Sequence, residues 1–314
     1  MKVSFYPEVD LDPARRPVVT LGNFDGVHLG HQYIMKRLVE RAAALGVPAV
    51  AVTFEPHPIS VLRPDVAPKR ILTPDQKREV LGEMGIDLLV IIEFTLEFSR
   101  KEPEVFIREV LSEKLRAQEL VLGTNFRFGR ARAGDLETLR SLGGTFGFQV
   151  RRVDPALSEG EMISSSHIRK ALSEGRVGEA AAMLGRPYFV EGEVVRGDGR
   201  GRGMGFPTAN VSVVGDVLVA DGVYATSARL QNRTYRGMAH VGQRPTFGLS
   251  TTAVETHLFD FSGEIYGRPL RLFFHRRLRE TIAFDGPEAL GRQLAKDREQ
   301  AGAFFRGSGR SLVL

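Results

Sequence analysis

TLGNFDGVHLGH, residues 20–31, decides the fold of the first half of the chain. It follows the apolar run 18–21, which reads as a short buried strand, and precedes a stripe at Ile34, Leu38, Arg41 and Leu45 with helical spacing. A strand feeding a helix through glycines at 22, 26 and 30 opens a βα unit. Glycine lets a backbone approach a bulky group, and the first turn of a helix carries N–H donors without intrahelical partners, which suit phosphate oxygens. His28 and His31 are three apart, so they share a helix face or its entry and could both be aimed at one polyphosphate, holding charge as pyrophosphate departs. The alternatives are two surface or core histidines, or part of a zinc site, although no H-E-x-x-H motif and no cysteine accompanies them. The loop is neither a Walker A sequence nor G-x-G-x-x-G.

Outward from this unit, apolar runs at 48–54, 88–94, 120–122 and 149–153 read as further strands. Between them Phe106, Val110 and Leu115 suggest a helix, and Pro74 and Pro103 suit helix starts. A βαβα succession predicts a mostly parallel sheet wrapped by helices, with ligands beyond the carboxyl ends of its strands. A short helical stretch runs from Ile163 through Ala171, Ala180 and Leu184 until Gly185, Arg186 and Pro187 break it. The domain boundary is expected there, giving domains 1–186 and 187–314. Beyond it the period becomes two, at 188–195, 223–230, 254–261 and 270–278, which predicts an antiparallel barrel or sandwich; residues 287–305 return to helical spacing and close it.

The composition agrees with two domains, since 314 residues at ~150 per domain is about two. With 42% hydrophobic and 26% charged residues, a disordered or collagen-like chain is excluded. Apolar runs fall short of the ~18 residues of a membrane span, and the first residues mix charge and proline where a secretory signal needs an apolar block. A cytoplasmic protein is expected. The absence of cysteine excludes disulfides, thiolate nucleophiles and cysteine-ligated metal sites. A net charge of +5 with arginines placed beside glycine loops favours small phosphorylated ligands over a nucleic acid.

Two further stretches could carry chemistry. In ISSSHIR, residues 163–169, serine hydroxyls at a helix start and Arg169 can hold phosphate oxygens, although ordinary capping explains the serines equally well. GDGRGRGMGFPTAN, residues 197–210, joins a glycine-arginine flap that could close over phosphates to a stiff Phe-Pro-Thr-Ala-Asn segment, whose hydroxyl and amide oxygens suit Mg²⁺. An RG-rich linker is the alternative for the flap. In VETHLFDF, residues 254–261, Glu255, His257 and Phe259 share one face of a strand, so Glu255 is either a general base or an exposed strand glutamate.

These motifs, in order with TFEPHP (53–58), GTNFRFG (123–129), DGVYA (221–225) and VGQRPTFG (241–248), resemble the prokaryotic bifunctional riboflavin kinase/FMN adenylyltransferase family over nearly the whole chain. G-x-F-D-G-x-H-x-G-H alone marks a wider nucleotidyltransferase superfamily, and its combination with G-F-P-T-A-N is specific. The resemblance implies a Rossmann-like nucleotidyltransferase domain with a parallel sheet, then an antiparallel β-barrel riboflavin kinase domain and a C-terminal helix. It implies ATP binding by Gly22, Asn23, Phe24, Gly30, Ser164, Ser165 and Arg169, with His28 and His31 on the phosphates. Asn125 and Phe126 fall in a flavin-holding loop. In the second domain it implies nucleotide contacts from Gly201, Arg202, Gly205 and Pro207, Mg²⁺ at Thr208 and Asn210, and Glu255 as base. The implied substrates are riboflavin, FMN and ATP, without nucleic acid or membrane. Two departures stand out: Ser166-His167 replaces the more usual Ser/Thr-Thr-Arg wording, and position 125 is asparagine where relatives often carry aspartate.

Overall fold

A computed structural model describes all residues except 13, 155–156, 159–160, 198–202, 204, 247–248 and 308–314. Backbone contacts divide the chain into two compact units, Met1–Ser164 and Ser165–Leu314.

The first unit contains β1 (Lys2–Tyr6), β2 (Val18–Leu21), α1 (Leu29–Leu45), β3 (Ala49–Glu55), α2 (Pro58–Leu62), α3 (Pro74–Gly82), β4 (Leu88–Glu93) and α4 (Pro103–Phe106). After α4 the helix continues with π-type turns over Ile107–Lys114. Then come β5 (Glu119–Gly123), α5 (Leu136–Phe146), β6 (Gln149–Val153) and a small ribbon, β7 (Leu157–Ser158) with β8 (Glu161–Met162). Six strands form one sheet in the order β1-β4-β3-β2-β5-β6, with every pairing parallel. Central strands of such sheets are covered on both faces, which is why β2 is apolar or threonine throughout and wholly buried. Edge strand β1 apart, chain order runs outward from β2 through β3 and β4 in one direction and from β5 to β6 in the other. The crevice beyond the carboxyl ends of β2 and β5 is therefore a topological switch point, where parallel α/β sheets take ligands.

The helices start and stop as their sequences dictate. Thr73 and Gln76 form a reciprocal capping box around Pro74 at the head of α3, and Asp135 with Thr138 does the same for α5. The expected stripe on α1 is partly out of phase, because its buried residues are Met35, Leu38 and Ala42. Strand β1, absent from the sequence expectation, is a short half-exposed edge strand paired on one side only.

The second unit opens with α6 (Ser165–Ser173) and α7 (Val177–Leu184), where the sequence suggested one helical stretch. Gly175, at φ +77°, parts them, and a Cβ there would lie 2.5 Å from the Arg277 side chain. The strands β9 (Tyr188–Val195), β10 (Ala209–Val213), β11 (Gly222–Leu230), β12 (Arg233–Thr246), β13 (Leu249–Leu258) and β14 (Pro269–Arg279) close into a barrel, β10-β13-β12-β11-β14-β9, entirely antiparallel. Of the two expected forms, the barrel is the one adopted. The final helix, α8 (Pro287–Gly307), packs Ala301 and Phe305 on Ala225 and Met238. It is pinned by Asp297, fully buried, which accepts from Arg279 Nε at 2.9 and 3.1 Å, Arg279 Nη2 at 2.8 Å and Gln293 Nε2 at 2.8 Å.

Candidate active sites

The 20–31 stretch lies at the switch point, and its turn is strained: Phe24, Gly26 and Val27 take φ +49°, +79° and +40°. For valine this is an outlier that only a well-determined loop retains. Asp25 helps hold it, its carboxylate accepting the Ile71 N–H at 3.1 Å. His28 is the N-cap of α1; its Nδ1 accepts the His31 N–H at 3.4 Å, and the two imidazoles stack with centroids 3.6 Å apart. The Phe24 ring meets His31 edge-on at 5.3 Å. Burial, with His28 and Lys77 adding to it, pushes the His31 proton affinity well below the usual histidine range, so His31 is neutral at physiological pH. Its Nδ1 is buried without a partner among the described residues. A Cβ on Gly30 would fall 3.1 Å from the His28 ring and 4.0 Å from the Ile163 carbonyl, which places the chain leading to Ser164 beside the histidines.

Beneath the loop is a polar floor to which the sequence reading gave no role. Lys77 on α3 is buried and donates to the Asn23 carbonyl at 3.4 Å and to Thr53 Oγ1 at 3.2 Å, and it pairs with Glu55. Burial lowers the Lys77 proton affinity while Glu55 opposes the shift. Arg70 reaches Glu55 at 3.0 Å, and the Asn23 amide lies 3.3 Å from His57 Nε2. The only sequence signal for Lys77 was its place in the turn after the Thr73 cap. Its partners come from β3 and the 20–31 loop, a convergence that spacing along one chain does not display.

At the end of β5, next to β2 in the sheet, Asn125 donates to Met162 Sδ at 3.2 Å, and Phe126 stacks on Phe128 with centroids 5.6 Å apart. Both therefore lie in the loop that borders the switch point. Ser165 opens α6 and Arg169 lies one turn on, both in the second compact unit. His167 bridges α6 to α7 through Glu179 at 3.1 Å.

On the barrel, register makes Glu255 the direct partner of Asn210 on β10 and of His240 on β12. Directly opposed residues project to the same face of a sheet. Glu255 and Thr208 line one cavity of about 270 Å³ together with His240, His257 and Arg279, closed by apolar side chains including Leu290 and Leu294 of α8. Asn210 is buried, and a Cβ on Gly197 would fall 2.0 Å from its amide nitrogen, so only glycine leaves that amide in place. The Pro207 carbonyl accepts from His257 Nδ1 at 2.8 Å. Gly205 takes φ +80°, and Phe206 borders a second, more open cavity of about 700 Å³, which also includes Arg236, Phe259, Arg298 and Phe305. Gly201 and Arg202 lie outside the described residues. His240 and Arg279 were not singled out from sequence; β12 is too polar to announce itself, and Arg279 was one arginine among many.

Residues 11–167 match the FAD synthetase family and residues 184–305 the riboflavin kinase family. The chain is 37% identical to the bifunctional riboflavin kinase/FMN adenylyltransferase of Listeria monocytogenes, covering 92% of each. It is 34% identical to the protein of that name from Escherichia coli K12, over 93% of this chain and 94% of the relative. A crystal structure described as a macrolide-efflux protein from Streptococcus pneumoniae shares the fold with a TM-score of 0.86 at 31% identity, covering 96% of this chain and 99% of that one. In the present chain no helix among the described residues is long and apolar enough to cross a membrane. With both family matches in order along the sequence and full-length relatives above 30% identity, the chain belongs to the bifunctional riboflavin kinase/FMN adenylyltransferase family.

Proposed function

We propose that this chain acts in the cytoplasm at two separate sites, phosphorylating riboflavin to FMN at the barrel cavity and adenylylating FMN to FAD at the β2–α1 loop, with ATP as donor in both. The kinase assignment rests on one observation above the rest: Glu255 and Thr208 line the same cavity, with Asn210 the register partner of Glu255. Glu255 takes the proton from the ribityl 5′-hydroxyl as that oxygen attacks the γ-phosphorus, giving FMN and ADP. The apolar walls and α8 suit a flavin ring, while the aromatic and arginine-bordered cavity beside Phe206 suits the nucleotide.

The residues present fit Mg²⁺. Thr208 and Asn210 offer neutral hard oxygens, the lack of a side chain at Gly197 lets the Asn210 amide keep its place, and nucleotide phosphates could complete such a shell. When bound there, the ion neutralises phosphate charge. The protein's own part is to align Glu255 with the hydroxyl and to hold the nucleotide from the Pro207–Thr208 turn.

At the loop, the FMN phosphate attacks the α-phosphorus of ATP and pyrophosphate leaves. A phosphate dianion needs no general base, so the site works by bringing two anions together. The head of α1 offers N–H donors, His28 and neutral His31 offer imidazoles, and Ser164, Ser165 and Arg169 supply the second phosphate-binding segment. Asn125 and Phe126 hold the flavin. In functional terms the division stays at 186/187, although α6 and α7 pack with the barrel.

Glu255→Gln is expected to cut riboflavin phosphorylation at least ~100-fold and to leave conversion of FMN to FAD intact, whereas His28→Ala does the reverse. Product chromatography from riboflavin, FMN, ATP and Mg²⁺ reads both reactions. Loss of both in either folded variant sinks the two-site assignment.

A further inference from the structure

We infer that His257 is a positioning residue of the kinase reaction, a brace that fixes the Thr208 turn at a set reach from Glu255. The inference rests on reading the barrel cavity as the kinase site. Glu255 and His257 stand two residues apart on one face of β13, about 7 Å along the strand. From there the His257 Nδ1–H donates to the Pro207 carbonyl at 2.8 Å. That carbonyl lies two residues before β10 begins at Ala209, outside the ladder that pairs Ala209 with Thr256. The turn thus takes its position from the strand that carries the base.

The rest of the environment makes the hydrogen bond specific. The ring is buried, 6% exposed, with Phe206 at 5.5 Å and Phe259 at 5.7 Å against it, on the wall of the cavity it shares with Glu255 and Thr208. Its second nitrogen, Nε2, is buried without a partner among the described residues. A histidine kept only to fill this space would be better replaced by an apolar side chain, since an unsatisfied buried nitrogen is a cost that packing alone does not require. What justifies the imidazole is the single bond from Nδ1. Burial lowers the proton affinity of the ring, with the Pro207 bond opposing and Arg298 reinforcing the shift, so the neutral Nδ1–H tautomer persists at working pH.

Two substitutions separate a brace from a space-filler. His257→Leu keeps volume without a donor, and His257→Asn places an amide N–H where Nδ1 stood. In a His28→Ala background, in which the other nucleotide site is expected to be disabled, Mg-ADP binding is measured by calorimetry with FMN present, and binding to that site is subtracted using the additional substitutions Glu255→Gln and Thr208→Ala as a barrel-site blank. Riboflavin phosphorylation and the melting temperature are followed in parallel. His257→Leu is expected to weaken Mg-ADP about tenfold and to raise the KM for ATP similarly, with an unchanged melting temperature; His257→Asn recovers most of the affinity. Equal Mg-ADP affinity in parent and His257→Leu overturns the inference, as does equal weakening in both variants. If the unsubstituted chain phosphorylates no riboflavin, the kinase reading itself fails, and that outcome is visible before either variant is made.

Discussion

The buried pair Arg279–Asp297 should carry much of the attachment of α8 to the barrel. Asp297 has no exposed surface and accepts three bonds from Arg279, which is itself 17% exposed at the side chain, plus one from Gln293. Asp297→Ala leaves a guanidinium in that low-dielectric position without its counter-charge. Removing one partner of a buried pair costs about 3–5 kcal/mol, because the remaining charge cannot recover its hydration. For a unit of ~150 residues each kcal/mol is worth about 3 °C, so the barrel transition is expected to fall by about 10 °C. The chain has no tryptophan, so scanning calorimetry of the full protein is the suitable readout. The double substitution Arg279→Met with Asp297→Leu should recover most of the loss, since it removes both charges. A shift below about 3 °C in Asp297→Ala, or a double variant no better than the single one, would refute this account.

Other expectations follow from the same contacts. Gly197→Ala drives a methyl to 2.0 Å from the Asn210 amide, so riboflavin phosphorylation should fall at least tenfold while FMN adenylylation, assayed separately, holds. Lys77→Met releases the Asn23 carbonyl and leaves Glu55 to Arg70 alone, and an adenylylation rate within twofold of the parent would show that the floor does not position the loop. His275, bonded to Ser227 at 2.8 Å and covered by Phe304 and Phe305, is pushed down to about 4 by burial. The unfolded chain then binds a proton that the folded one refuses. Stability is full above the ordinary value near 6.5, falls as pH drops toward 4 and levels off below, by on the order of 3 kcal/mol in all. The drop in urea midpoint between pH 7 and pH 4.5 should be smaller in His275→Gln than in the parent, with His31 and His257 leaving a residual drop.

The sheet was legible because its central strands β2 to β5 are buried and appear as short apolar runs, and because the glycine-rich turn with paired histidines leaves few other readings. Edge strand β1 was not, since exposure on one side lets polar residues such as Lys2 and Ser4 enter a strand and blur its pattern. In the barrel, β10 hid behind the Pro-Thr turn, which reads as a break, and β12 hid behind its polar face. Pairing of Glu255 with Asn210 could not be read in advance, because register follows from barrel closure and not from either strand alone. The same limit kept Lys77, and any role for His257 beyond its strand face, from view. Each acts on a backbone carbonyl of a remote segment, and a carbonyl has no letter in a sequence.

Helix α8 presents Leu290 and Leu294 to one cavity and Arg298 and Phe305 to the other. A rigid rod that walls two chambers cannot move for one occupant without reshaping the berth of the next. On the proposed reading, in which these two cavities take the two kinase substrates, binding of one is expected to change the dissociation constant of the other, and by reciprocity the factor is the same in both directions.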